Sequence, residues 1–143
     1  MKVKLLITTA LVALGVVTAA SAAIVNGTSG DDTLSGTSNG DVIYGHAGND
    51  VIRAHAGNDV LYGGNGNDVM WPGSGVDVQY GGAGNDVLHA LANDNQPDIL
   101  NCGPGSDTAL VIRNDPVKLR GCERVVRLSP DEAAALAESG GDS

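Results

Sequence analysis

The chain has 143 residues, room for one small domain, and contains no Phe, three Tyr and one Trp, so an ordinary aromatic-rich core is excluded and stability must come partly from elsewhere. Its formal charge is −9. The few Lys and Arg form no basic stripe able to release phosphate counterions, which excludes nucleic acid as a partner.

Lys2 and Lys4 precede an apolar run from Leu5 to about Ala20, and Ala20-Ser21-Ala22 supplies a small-residue cleavage site. Residues 1–22 therefore read as a signal peptide rather than a membrane anchor, because the run is shorter than the ~20 residues that span a bilayer. The chain is expected to be secreted, with no membrane span left after cleavage. Loss of the two lysines takes the charge from −9 to −11. Such self-repulsion opposes compaction unless a cation neutralises it.

From Gly27 to His89 the sequence divides into seven nine-residue units, each with aspartate in its sixth place: Asp32, Asp41, Asp50, Asp59, Asp68, Asp77 and Asp86. The first five places favour Gly, Asn, Ser and Ala, which suit a tight turn. The last three, as in Val42-Ile43-Tyr44 or Val60-Leu61-Tyr62, are β-formers long enough for only a short strand. One unit is thus one turn and one strand. Stacked units would bury the eighth-place file Leu34, Ile43, Ile52, Leu61, Met70 and Leu88, which Gln79 interrupts. If successive strands go to opposite sheets, units eighteen residues apart stack at the ~4.8 Å strand spacing. The aspartates then form two columns. Stacked carboxylates repel one another, whereas turns rich in outward carbonyls offer the oxygen ligands of a hard divalent ion, and six to eight irregular oxygens suit calcium better than magnesium.

Units such as Gly63 to Trp71 and Gly81 to His89 fill every place of the pattern Gly-Gly-x-Gly-x-Asp-x-apolar-x. They resemble the RTX calcium-binding nonapeptide repeat, here in a small secreted bacterial form. The resemblance implies an all-β fold, a parallel β-roll (two-sheet β-solenoid) over residues 23–110. It also implies several Ca2+ ions held between turns by the seven aspartates and Asp107 of a last unit, with backbone carbonyls of glycines such as Gly45, Gly48, Gly63, Gly66, Gly81 and Gly84. Asn39 replaces the inner glycine, Ala54 and Pro72 the first glycine and Gln79 the apolar residue, so the sites of Asp41 and Asp77 match the pattern least well. The competing reading is a metal-free solenoid in which aspartate caps turns by accepting backbone N–H groups. Asn or Ser would serve that purpose equally, yet all seven places hold Asp.

After His89 the register breaks through an insertion at 90–98, resumes at Asp98-Ile-Leu-Asn101, and ends in a unit at 102–110. Asp94 and Asp98 there are either additional ligands or, as expected, residues of a solvated, bulged loop. Cys102 and Cys122, the only cysteines, stand behind a secretory signal and are expected to form a disulfide that closes a C-terminal cap. In that cap, residues 111–128, Leu110 to Ile112 and Glu123 to Leu128 read as closing strands around an Asn114-Asp-Pro116 turn. Ser129-Pro-Asp-Glu132 starts a short helix within 129–143, followed by a flexible tail.

Gly36-Thr-Ser-Asn-Gly40 meets the Gly-x-Ser-x-Gly nucleophile pattern but falls inside a repeat, without the strand–turn–helix context that exposes such a serine. No His-Glu-x-x-His stretch is present, and His46, His55 and His89 fall at turn or strand-end places expected to be solvated. No enzyme is expected. The leading reading is a secreted calcium-binding module that folds when Ca2+ arrives; the rivals are a cell-surface adhesion or structural protein and an accessory domain of a separately encoded secreted enzyme. Tyr44, Tyr62 and Tyr80 share the ninth place on one sheet, beside Val42, Val60 and Val78. They either brace the sheet across strands or face a partner such as a cell-wall polymer, a carbohydrate or another copy of the chain.

Overall fold

The computed structural model describes residues 21–139. The expected signal peptide lies almost wholly outside them, as does the tail from Gly140. In every unit the β-branched and apolar residues that follow aspartate become a strand. In chain order these are β1 (Ile24–Asn26), β2 (Thr33–Ser35), β3 (Val42–Ala47), β4 (Val51–Arg53), β5 (Val60–Asn65), β6 (Val69–Trp71), β7 (Val78–Ala83), β8 (Val87–Ala90), β9 (Asp98–Asn101), β10 (Thr108–Ile112), β11 (Val117–Arg120) and β12 (Arg124–Leu128), before the helix α1 (Pro130–Ser139). Successive strands alternate between two six-stranded sheets, ordered β1-β3-β5-β7-β9-β11 and β12-β10-β8-β6-β4-β2. All pairings are parallel, and Ile43 faces Leu61 as Ile52 faces Met70, eighteen residues on. The expected all-β, two-sheet parallel solenoid is the architecture found.

Its core is the eighth-place file. Ile43, Ile52, Leu61, Met70 and Leu88 are fully buried, Leu100 and Ala109 continue the file past the insertion, and Val111 is buried beside it at the following first place. Each large aliphatic side chain so buried contributes roughly 1.5–3 kcal/mol. Gln79 is buried among them, its Nε2 donating to the carbonyl of His89 at 2.7 Å.

Two elements differ from the sequence reading. β1 precedes the first glycine and pairs with β3, so an extra half-coil stands before the repeats. At the other end, β10 and β12 are adjacent parallel strands rather than two arms of a turn, because β11 lies between them in sequence but joins the other sheet beside β9. The alternation that builds the roll therefore continues through the cap. β11, Val-Lys-Leu-Arg, turns its apolar residues inward and its cations out, a period of two that marks a half-buried strand.

Cys102 and Cys122 are joined, with Cα atoms 5.1 Å apart. The bridge ties the buried first place of the last unit to the segment between β11 and β12, and so clamps one coil to the next. Reduction is expected to cost about 3 kcal/mol on the chain-entropy model for a loop of this length. Thermal melts of the calcium-saturated protein with and without reductant measure it, and a midpoint unchanged by reduction would refute the clamp. The helix begins with a reciprocal cap, Ser129 N donating to Glu132 Oε2 at 2.7 Å and Glu132 N to Ser129 Oγ at 3.3 Å. Among the described residues no helix is long and apolar enough to cross a membrane.

Candidate metal centre

Because consecutive units alternate between the two edges of the roll, the aspartates stack in the two expected columns. Each uses one oxygen to hold the coil before it. Asp32 N donates to Asp50 Oδ1 at 2.8 Å, Asp50 N to Asp68 Oδ1 at 2.8 Å and Asp68 N to Asp86 Oδ1 at 2.9 Å. The other column repeats the pattern, with Asp41 N on Asp59 Oδ1 at 2.7 Å and Asp59 N on Asp77 Oδ1 at 2.8 Å.

The second oxygen tells the more useful story. In Asp50, Asp59, Asp68, Asp77, Asp86 and Asp107, Oδ2 is buried with no hydrogen-bond partner. An ionised oxygen left so costs several kcal/mol unless a cation or a proton satisfies it. Main-chain oxygens stand close by. A Cβ built on Gly45 would run into both Asp50 Oδ2 and the carbonyl of Gly63; on Gly63 it would meet Asp68 Oδ2 and the carbonyl of Gly81, and on Gly81, Asp86 Oδ2 and the carbonyl of Cys102. These first-place glycines leave a gap in which a carboxylate oxygen and a carbonyl from the next coil converge. The fourth-place glycines Gly48, Gly66 and Gly84 stack file on file, Gly66 against the carbonyl of Gly48 and Gly84 against that of Gly66. Among the described residues no three His, Cys, Asp or Glu side chains converge on one point, so an ion here would take its remaining ligands from main-chain carbonyls. One carboxylate with several carbonyl oxygens is a hard, irregular donor set of the kind calcium accepts. The residues present fit the ion.

Burial shifts these carboxyls strongly. Desolvation, reinforced by neighbouring carboxylates, pushes Asp50 and Asp86 up to about 6 and Asp59 up to about 7. Desolvation likewise raises Asp77 to about 6, and Asp68 in the same direction. A carboxyl raised in the fold binds more protons folded than unfolded, so the stability it contributes is present below about pH 4 and lost as pH rises through 6 to 7. The metal-free chain is thus expected to be more stable at pH 5 than at pH 8, and calcium to reverse that order. Melts in chelator at the two pH values check the sign; a metal-free chain more stable at pH 8 would contradict it.

Three site residues lie outside the expected set. Asp98 is not in a solvated loop: it is 4 % exposed, opens β9, and its Oδ1 accepts from Asp77 N at 3.0 Å, which is the sixth-place role. Its carboxyl is pushed up to about 7 by burial and by Asp77, Asp94 and Asp115. Asp94 braces the same corner, its Oδ2 accepting from Gly75 N at 2.7 Å. The signal for Asp98 was the strand-like Ile-Leu-Asn after it. Glu123 ends the other column, its Oε2 accepting from Asp107 N at 2.8 Å. His89, expected to be solvated, is instead partly buried: it stacks on Trp71 with centroids 4.5 Å apart, its Nδ1–H donates to the Met70 carbonyl at 3.0 Å, and desolvation lowers its pKa to about 4. His46 and His55 are exposed.

The tyrosines form a ladder on the outer face of the first sheet. Tyr44, Tyr62 and Tyr80 stack at centroid spacings of 4.9 Å with planes 5–6° apart. On the opposite face Arg53 lies over Trp71, 4.5 Å from its centroid.

A search of curated proteins by sequence returned no match. A family model described as the RTX calcium-binding nonapeptide repeat matches residues 26–61, 47–79 and 80–96, with four copies. With its nine-residue register, alternating parallel sheets and stacked aspartate columns, the chain belongs to the family of proteins built from RTX calcium-binding nonapeptide repeats.

Proposed function

We propose that this chain is a secreted, non-catalytic calcium-binding module whose fold is completed by several Ca2+ ions lying between its coils. The observation that supports this reading is the set of six buried Oδ2 atoms without partners, one per unit and at the same place in each. Bound calcium supplies the positive charge that these oxygens and the acidic chain lack. The aspartates bind and, through Oδ1, hold the preceding coil; the first-place glycines keep the gap open, and the stacked carbonyls complete the ligand set.

In the adhesion reading the tyrosine ladder would be the partner surface. The stacking supports a scaffold role instead, because each ring covers the face of its neighbour and those faces are what a sugar ring or aromatic partner would need. Equilibrium dialysis with radioactive calcium in excess magnesium tests the proposal. Several ions should be retained per chain, and Asp68→Asn should retain fewer; a chain that retains none at millimolar calcium overturns it.

A further inference from the structure

The six aspartates with a free Oδ2 share a backbone feature. The second-place residue of each of their units has positive φ: His46 at 79°, His55 at 81°, Gly64 at 112°, Gly73 at 96°, Gly82 at 108° and Gly103 at 101°. The first two units differ. Their second places hold Thr28 and Thr37, neither of which has positive φ, and both turn their amide and hydroxyl onto the carboxylate of their own unit. Thr28 N and Oγ1 donate to Asp32 Oδ2 at 2.5 and 2.9 Å. Thr37 N and Oγ1 donate to Asp41 Oδ2 at 2.5 and 3.0 Å, while Ala23 N donates to Asp41 Oδ1 at 2.6 Å. The oxygen itself has not moved: a Cβ on Gly36 would meet Asp41 Oδ2 and the carbonyl of Ala54, the same gap as in the later units. Only its partner has changed.

Among the eight units that keep the nine-residue count, those of Asp32 to Asp86 and of Asp107, the split is complete, and from it we infer that Thr28 and Thr37 stand in for the cation, so that Asp32 and Asp41 are threonine-clamped turn residues and not calcium ligands. A threonine supplies two donors to one carboxylate oxygen, which satisfies it without a metal. It requires ordinary negative φ, which a β-branched residue prefers, whereas positive φ at the second place carries the amide away from the carboxylate and leaves Oδ2 for an ion. The repeats are thus of two kinds: a metal-independent starter coil and a metal-dependent roll stacked on it. The inference rests on the calcium-binding reading and refines which units take part.

The test is the dependence of thermal stability on calcium concentration, which counts the ions taken up on folding even when a variant has a lower midpoint. Asp32→Asn with Asp41→Asn should leave the slope at the wild-type value, whereas Asp50→Asn with Asp59→Asn should lower it by about two ions. A slope reduced in the first pair overturns the inference while leaving calcium binding intact; a wild-type slope of zero instead overturns calcium binding itself. If the first pair does not fold, Thr37→Val replaces it. The midpoint should then fall equally at every calcium concentration, and a deficit that disappears at saturating calcium overturns the inference, because an ion would have taken over the vacated oxygen.

Discussion

Excess chelator is expected to abolish most of the β-sheet circular dichroism of the chain, and millimolar calcium to restore it, with magnesium at the same concentration restoring little. The core is one file of aliphatic side chains per sheet, and residues 23–143 carry a charge of −11. Against that, a single site held at a hundred times its dissociation constant adds about 2.7 kcal/mol. Two or more such sites match the ~5–15 kcal/mol by which a small domain is stable at all. Because the ligands hardly exist as a set in the unfolded chain, the binding free energy is folding free energy. Magnesium fails because it demands a near-ideal octahedron and gives up its waters reluctantly, which a lone carboxylate among carbonyls does not reward. A chain that keeps its full β signal in chelator would show that the buried carboxyls are neutralised by protons alone.

Gly66→Ala is expected to destabilise the calcium-loaded protein by more than about 3 kcal/mol, whereas Gly30→Ala, at the same fourth place, should change it by less than ~0.5 kcal/mol. Gly66 has φ 125°, a conformation closed to L side chains, and a Cβ there would collide with the carbonyl of Gly48. That carbonyl is main chain held by the coil beneath, so relief requires two coils to part and breaks the ladder bonds on both sides, among them Gly48 N to the Asn65 carbonyl at 2.9 Å. Gly30 lies at the exposed end of the roll, has no positive φ, and a Cβ on it would meet only Thr28 Oγ1, at 3.9 Å. Denaturant midpoints in saturating calcium compare the two. Equal losses would mean that the glycine requirement belongs to the turn sequence itself, not to the stacking of coils.

Much of this was legible because the repeat is strict. A fixed period of nine with one apolar eighth place dictates which strands are neighbours, and the eighteen-residue register, the core file and both aspartate columns follow from counting. What counting could not reach lies where the period fails or where the deciding variable is a dihedral angle. Three inserted residues move Asp98 off the count and into an apparent loop, although burial and hydrogen bonding restore it to the column. Nothing in the count announces β1, because Ile24-Val25-Asn26 has no aspartate before it; its match to Val42-Ile43-Tyr44 is one of β-forming shape alone. The desolvation of His89 depends on the flat surface of Trp71 eighteen residues away, which nothing in its own unit announces. The division between threonine-clamped and open aspartates was present as residue types at the second place, but their meaning lies in the sign of φ.

The coil that carries the insertion has a consequence of its own. From Asp77 to Asp98 the chain uses twenty-one residues where neighbouring coils use eighteen, yet Val78 still pairs with Ile99 and Asp86 N still reaches Asp107 Oδ1 at 2.8 Å. The surplus is spent at one corner, between Ala90 and Asp98, where Asn95 turns back at φ 58° and Asn95, Gln96 and Pro97 face solvent. Length at that corner is uncoupled from register everywhere else. The flank of the roll therefore contains a splice point, where foreign peptide joined between Asn95 and Gln96 would be displayed outward while the coils above and below keep their alignment.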